Sequence, residues 1–174
     1  MSEAAGPPPG PDTVEMQAEV MRYAGRVSGD LAGAMTTVLC ALGVRLGLFP
    51  SLLAIGPATA AELAGKTGLA ERYVREWAYG LAAAGYLEEA EGDRFVLPAG
   101  LAPILAEEGS PFSMAPGYGL LPAMTGMLDP VAEAFRTGEG VPDERYPAEL
   151  HESMEAMRAL MCGSRRWRGW RAAE

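Results

Sequence analysis

Apolar and polar positions between Thr59 and Pro98 change period twice, and each change coincides with a residue that can start or stop an element. Thr59 and Glu62 have capping-box spacing: the threonine oxygen can accept from the N–H three residues on, and the glutamate can reach back to the threonine N–H. This predicts a short helix over 60–66, closed by the turn Thr67-Gly68-Leu69, in which Gly68 can take the positive φ that ends a helix. Tyr73, Val74, Trp77, Leu81 and Ala84 then recur at three- and four-residue steps, predicting a longer helix over about 70–84 with one inward face, stopped by Gly85. Beyond it the period falls. Tyr86-Leu87 and Phe95-Val96-Leu97 flank the acidic tip Glu88-Glu89-Ala90-Glu91-Gly92-Asp93, which predicts a hairpin turning at Gly92-Asp93. Two helices joined by a tight turn and followed by a two-stranded ribbon make a winged helix-turn-helix. The fold class is mainly α with a small β-wing, with further helices on both sides.

Before this motif, Val14, Ala18, Met21 and Gly25 predict an amphipathic helix over 13–26, with Glu15, Glu19, Arg22 and Arg26 on its polar face. The stretch from Leu31 to Phe49 carries one charge, Arg45, and approaches the length of a membrane span. Its glycine and alanine content and the lack of a basic flank favour a helix buried between subunits, with no membrane partner. Leu31, Met35, Val38, Leu42 and Leu46 form the candidate dimer interface, because a winged-helix core can cover the opposing Leu39, Val44 and Leu48 but not every face at once. A homodimer is expected.

After Pro98, Leu101 to Leu105 is a short apolar segment, and 111–127 is rich in methionine, glycine and proline. Methionine adapts to irregular shapes, so Met114, Tyr118, Leu121 and Met124 are candidate walls of a pocket for an apolar small molecule, with adaptable core packing as the plainer reading. Asp129-Pro130 predicts a helix start, with Asp129 as cap, and Gly138 its end. A polar loop over 139–147 leads to a helix over 148–161 with Leu150, Met154, Met157 and Met161 on one seam.

Charge and chemistry narrow the function classes. The net charge is −9, which argues against a protein whose main task is gripping phosphates. Arg72 and Arg75 occupy the outer face of the second motif helix, where a transcription factor would contact DNA, but Glu71 and Glu76 offset them and the wing is acidic. Nucleic acid is therefore not the expected partner. His151 is the one histidine, so neither a metal cluster nor a Ser-His-Asp arrangement is expected; no catalytic, cofactor-binding or metal residue is assigned. Cys40 and Cys162 are too few for a disulfide framework and fit a reduced, cytoplasmic setting. The Pro/Gly-rich start, 1–12, and the Arg/Trp-rich end, 163–174, with Arg165, Arg166, Trp167, Arg168, Trp170 and Arg171, are expected to be disordered tails.

The run from Val38 to Phe49, followed by Thr59 to Ala64 and by Glu71-Arg72-Tyr73-Val74-Arg75-Glu76-Trp77, resembles the N-terminal domain of bacterial S-adenosylmethionine-dependent methyltransferases. Phe135-Arg136-Thr137-Gly138-Glu139-Gly140-Val141-Pro142 is similar to that family's linker. The resemblance implies a domain that dimerises and roofs the substrate, placed before a Rossmann-like catalytic domain. Yet no glycine-rich cofactor loop or strand–helix series follows Pro98, so S-adenosylmethionine belongs to the full-length family and is not expected to bind this chain. The expected organisation is a winged-helix dimerisation domain over 13–110 and a helical linker or lid over 111–162, from a methyltransferase cut off before its catalytic domain and inactive alone. Its partners would be itself and the missing domain. The alternative is a dimeric winged-helix transcriptional regulator with an apolar effector pocket.

Overall fold

The computed structural model describes residues 11–163 of the 174-residue chain, with side chains from 13 to 159. The expected tails at 1–10 and 164–174 lie outside the described residues. Pro11 and Asp12, counted above with the first tail, open a helix, and Gly163 ends one. The chain falls into two compact units, one up to Met35 and one from Thr36 onward.

Among the described residues, eight α-helices and three short strands follow in the order α1 (Pro11–Arg45), α2 (Leu48–Ile55), β1 (Ala58–Thr59), α3 (Ala60–Thr67), α4 (Glu71–Ala83), β2 (Glu88–Ala90), β3 (Arg94–Val96), α5 (Ala102–Leu105), α6 (Leu120–Thr125), α7 (Leu128–Thr137) and α8 (Ala148–Gly163). Two 3-10 turns, Ala115–Gly119 and Asp143–Arg145, precede α6 and α8. The two helices expected over 13–26 and 31–49 are one 35-residue helix, α1. Gly25, Gly29 and Gly33 each cost about 1 kcal/mol of helix propensity, but none removes a backbone donor as proline would, so the hydrogen-bonded ladder runs through them. The break comes later, at Gly47 (φ 66), and Leu48 and Phe49, expected to continue the long helix, instead begin α2.

The described part of the first unit is helical, and its side chains from 13 onward are exposed, Val14, Met16, Val20, Val27 and Leu31 included. Arg22 lies over the Tyr23 ring at 4.2 Å and 3.8 Å from Glu19 on its surface.

The second unit is built round α3 and α4. Thr59 Oγ1 accepts from the Glu62 N–H at 3.2 Å and Glu62 accepts from the Thr59 N–H at 2.8 Å, completing the capping box read from the sequence. Gly68 sits at φ 71, and the next helix buries Val74, Trp77, Ala78 and Leu81. Tyr73 and Ala84, expected on the inward face, are exposed, because the buried stripe follows Ala78 instead and leaves both at its margin. Gly85 (φ 75) reverses the chain, with the Tyr86 N–H donating to the Leu81 carbonyl at 2.8 Å.

The wing is shifted from its expected place. Its first strand is formed by Glu88, Glu89 and Ala90 themselves, paired with Val96, Phe95 and Arg94. Gly92 (φ 76) and Asp93 (φ 54) make the turn. A third strand, Ala58–Thr59, adds to the other edge of β3, giving the antiparallel order β1-β3-β2. Arg94 forks onto both Glu62 carboxylate oxygens at 2.8 and 2.9 Å and donates to the Pro57 carbonyl, so one charged contact ties wing to helix start. These contacts, led by the Thr59 N–H and then the Arg94 guanidinium, hold the Glu62 carboxyl below its ordinary value.

Phe49, Leu48, Leu52, Leu63, Leu81, Val74 and Cys40 form the centre of the core. Trp77 joins α4 to the second half of α1: its indole N–H donates to the Leu39 carbonyl at 2.9 Å, and its ring meets Phe49 edge-on at 5.3 Å. Farther along the chain, α7 begins at Leu128 with Met127 in the capping position and no side-chain cap, so Asp129 lies inside the first turn and not at the cap. Gly138 (φ 76) ends that helix. On α8, Leu150 is buried while Met154, expected beside it, is 56% exposed, because Ser153 and Met157 on either side of it are the ones that meet the Ala115–Gly119 turn.

Two glycines on this packing give opposite predictions. A Cβ at Gly43 would lie 2.6 Å from Phe49 Cε2 and 2.9 Å from Trp77 Cζ2, ring atoms held in the core, whereas one at Gly80 would meet the terminal Cδ1 of Leu39 at 2.7 Å. Gly43→Ala is expected to destabilise by about 1–3 kcal/mol, and Gly80→Ala, where a flexible methyl can turn away, by less; urea unfolding of both reads the difference. A second prediction follows from Glu62. Its lowered carboxyl contributes stability at pH above the unfolded value of 4.5, and that contribution disappears as pH falls through the folded value. Thermal melts of Glu62→Gln should therefore fall below the wild type at neutral pH and converge with it in acid.

Candidate functional site

Three surfaces of the second unit carry candidate chemistry. Along α1, Trp77 and Phe49 seal the side that bears Leu39, Cys40 and Gly43. The other side is uncovered: Val38, Leu42 and Leu46 are 38%, 43% and 45% exposed. Leu31 and Met35, in the first unit, are exposed as well. By length and composition α1 would also suffice to cross a membrane, which is weak evidence for a helix near the start of a chain. Val38 and Leu42, with Arg45, line a groove of about 660 Å³ whose far wall is Pro122, Ala123 and the start of α8 at Glu149 and Glu152.

The second surface is a recess of about 500 Å³ walled by Leu101, Ile104 and Leu105 round α5, by Met114, Gly117, Tyr118 and Leu120, and by Thr37, Tyr86 and Met157. Of the four residues read as pocket walls, Met114 and Tyr118 line this recess. Leu121 and Met124 line neither concavity, and Met124 is 59% exposed on α6. Sequence reasoning missed Cys40 and Tyr86. The Tyr118 hydroxyl donates to the Tyr86 hydroxyl at 3.3 Å and also meets the Cys40 thiol. Tyr86 had a readable signal, since it follows the helix-stopping Gly85; Cys40 had none, because a thiol inside an apolar run looks like any small core residue. Burial pushes the Cys40 thiol up to about 11, the Tyr118 hydrogen bond opposing this, and burial together with the Tyr86 contact raises Tyr118 as well.

The third surface is the outer face of α4 with the wing. Arg72 is exposed there, but Arg75 is drawn into an ion pair with Glu71 of the same helix. Arg94, the cation of the wing, is turned back onto Glu62, leaving Glu88, Glu89, Glu91 and Asp93 exposed. That surface presents an acidic face to any partner. His151, half exposed, sits 3.4 Å from Asp143. Among the described residues no group of three His, Cys, Asp or Glu side chains is placed to hold a metal ion.

Residues 34–107 match the Rv2258c-like winged HTH domain. The winged HTH domain thus takes in the second half of α1, the motif and its wing, and α5. In fold the chain is similar to the mitomycin 7-O-methyltransferase MmcR (24% identity, TM-score 0.63, covering 84% of this chain and 48% of that one). It is also similar to CalO1, a methyltransferase in calicheamicin biosynthesis solved with SAH bound (23%, TM-score 0.58, covering 80% and 45%). A third likeness is to RosA, the N,N-8-amino-8-demethyl-D-riboflavin dimethyltransferase from Streptomyces davawensis (25%, TM-score 0.54, covering 82% and 44%). The chain spans less than half the length of each of these structures. No curated protein sequence matches it. The winged HTH domain is similar to the N-terminal regions of S-adenosylmethionine-dependent methyltransferases.

The buried thiol gives a prediction for this domain. Cys40 is fully buried and its thiol is held up to about 11, so native protein treated with iodoacetamide near about pH 8 should leave Cys40 unmodified in peptide mapping, while urea-unfolded protein is labelled. The stability associated with the neutral thiol is complete below the unfolded value of 9.0 and declines as pH rises toward 11. Labelling of native Cys40 at the rate of a free thiol would contradict the packing described.

Proposed function

We propose that this chain serves as the dimerisation and substrate-covering N-terminal region of an S-adenosylmethionine-dependent methyltransferase, acting on no substrate by itself. The observation that carries the reading is the uncovered apolar side of α1. Val38 and Leu42 on the helix and Leu46 in the turn just past its end follow one another at four-residue steps, and all are exposed although the opposite side is sealed into the core. Burying a large apolar side chain contributes roughly 1.5–3 kcal/mol, so leaving several in water is costly on the scale of a small domain's stability. A second copy presenting the same stripe across a two-fold axis removes that cost for both. The groove beside Val38 and Leu42 supplies a place for the partner's helix.

In this reading Met114 and Met124, half exposed or more, with Tyr118 and Leu121 between them, face the methyl acceptor, and the helices beyond Pro111 link to the catalytic domain. Such enzymes hold their cofactor where the end of a parallel strand meets a helix N-terminus. The described residues do not fit that group: their strands are three, short and antiparallel. Cofactor binding and methyl transfer are assigned to a catalytic domain, and the cytoplasm is the setting that goes with such an enzyme. A DNA-reading regulator with an apolar effector pocket has less support, since Arg75 and Arg94 are both committed to glutamates and the wing tip is acidic.

Two substitutions test the reading. Leu42→Glu places a charge in the middle of the stripe and should convert a dimer to monomer or aggregate in size-exclusion chromatography with light scattering, whereas Arg72→Ala on the outer face of α4 should leave assembly unchanged. A well-folded wild-type monomer at tens of micromolar would contradict the proposal. If Arg72→Ala and Arg75→Ala instead abolished a duplex DNA mobility shift by the wild type at near-physiological salt, the regulator reading would replace it.

A further inference from the structure

The recess lined by Met114, Tyr118 and Tyr86 is formed by this chain alone, and what it binds can be argued whether or not a catalytic domain follows. Its volume of about 500 Å³ lies within the range of small-molecule sites. Its walls are aliphatic and thioether side chains, with hydroxyls from Thr37, Tyr86 and Tyr118 and no charged residue among them. An ion would be desolvated there with nothing to pair it, which selects for neutral ligands.

The hydroxyls also have a direction. Tyr118 has one proton and donates it to Tyr86, with the buried Cys40 thiol on its inner side. The Tyr86 oxygen accepts from Tyr118, and its own proton is then the donor at the outer end, beside the recess. Tyr118 and Tyr86 are thus two donors in series that end in one phenolic O–H, and a hydrogen bond already accepted by that phenol strengthens the one it gives.

The geometry points to a binding site for a neutral, mainly apolar molecule of small-molecule size carrying one hydrogen-bond acceptor, of the aryl ketone or quinone class, whose carbonyl oxygen accepts from Tyr86. The aliphatic walls of α5 and Met157 pack against the ligand body, and Met114, 48% exposed, stands at the edge where it can adjust. No bond is made or broken.

The neutral naphthyl ketone Prodan, whose emission reports both apolarity and hydrogen bonding to its carbonyl, tests the assignment against its ketone-free parent, dimethylaminonaphthalene. The wild-type chain should bind Prodan saturably and more tightly than the parent. Replacing both phenols, Tyr86→Phe with Tyr118→Phe, should weaken Prodan about three- to ten-fold, the worth of one net hydrogen bond, and leave the parent unchanged. Met114→Trp, at a half-exposed position with room for a larger side chain, should weaken both probes. Circular dichroism checks that each variant folds, and if the double variant does not, Tyr86→Phe alone carries the comparison. Lack of saturable Prodan binding overturns the site. Equal loss of both probes on removing the phenols overturns the hydrogen-bond assignment, and Prodan binding indifferent to Met114→Trp places the probe elsewhere, such as the exposed side of α1, and overturns it too.

Discussion

The contact on which the arrangement depends is the Trp77 indole against α1. A tryptophan in the middle of α4 must find an acceptor for its N–H once buried, and it finds the Leu39 carbonyl. Reaching it requires the two helices to come close, and Gly43, with no Cβ between it and the rings of Phe49 and Trp77, permits that approach. One donor, one missing side chain and one edge-on ring pair therefore fix which side of α1 is covered. The uncovered side, with Val38, Leu42 and Leu46, is a consequence of the same contact.

The same docking places Cys40 against the segment that follows the wing. Cys40 faces inward next to Leu39, and the Ala115–Gly119 turn brings Tyr118 to its thiol, with Tyr86 beyond. The recess and the exposed stripe are thus set by neighbouring positions on one helix, the first by the side of α1 that packs and the second by the side that does not. On the outer face of α4 and the wing, Arg75 and Arg94 are held by Glu71 and Glu62, while Arg72 stays exposed.

What could be read in the sequence was what local chemistry dictates. The Thr59–Glu62 box, Gly68, Gly85 and Gly138 each mark an end by backbone geometry, and each sits where the spacing places it. Register and continuity were harder. The acidic residues of the wing form its strand because pairing with β3 satisfies their backbone, whatever their side chains, and a two-residue strand at Ala58–Thr59 is too short to leave a period. The helices expected apart over 13–26 and 31–49 are continuous, because a glycine such as Gly29 or Gly33 lowers helix propensity without removing a hydrogen bond, so α1 continues to Arg45. Of the candidate site, the exposed side of α1 was legible as an excess of apolar faces. The cluster of Cys40, Tyr118 and Tyr86 was not, because its members are brought together from three distant segments by packing alone.

The central claim, that the Trp77 clamp fixes α1 and so decides which side it offers, is tested most directly by hydrogen exchange of the Trp77 indole N–H, assigned in the NMR spectrum by its loss in Trp77→Phe. With Trp77 4% exposed and hydrogen-bonded to Leu39, the account predicts an indole proton that persists in D2O as long as the core amides of α4, exchanging with global unfolding. Exchange of that proton as fast as in an exposed indole, while the core amides stay protected, would contradict it.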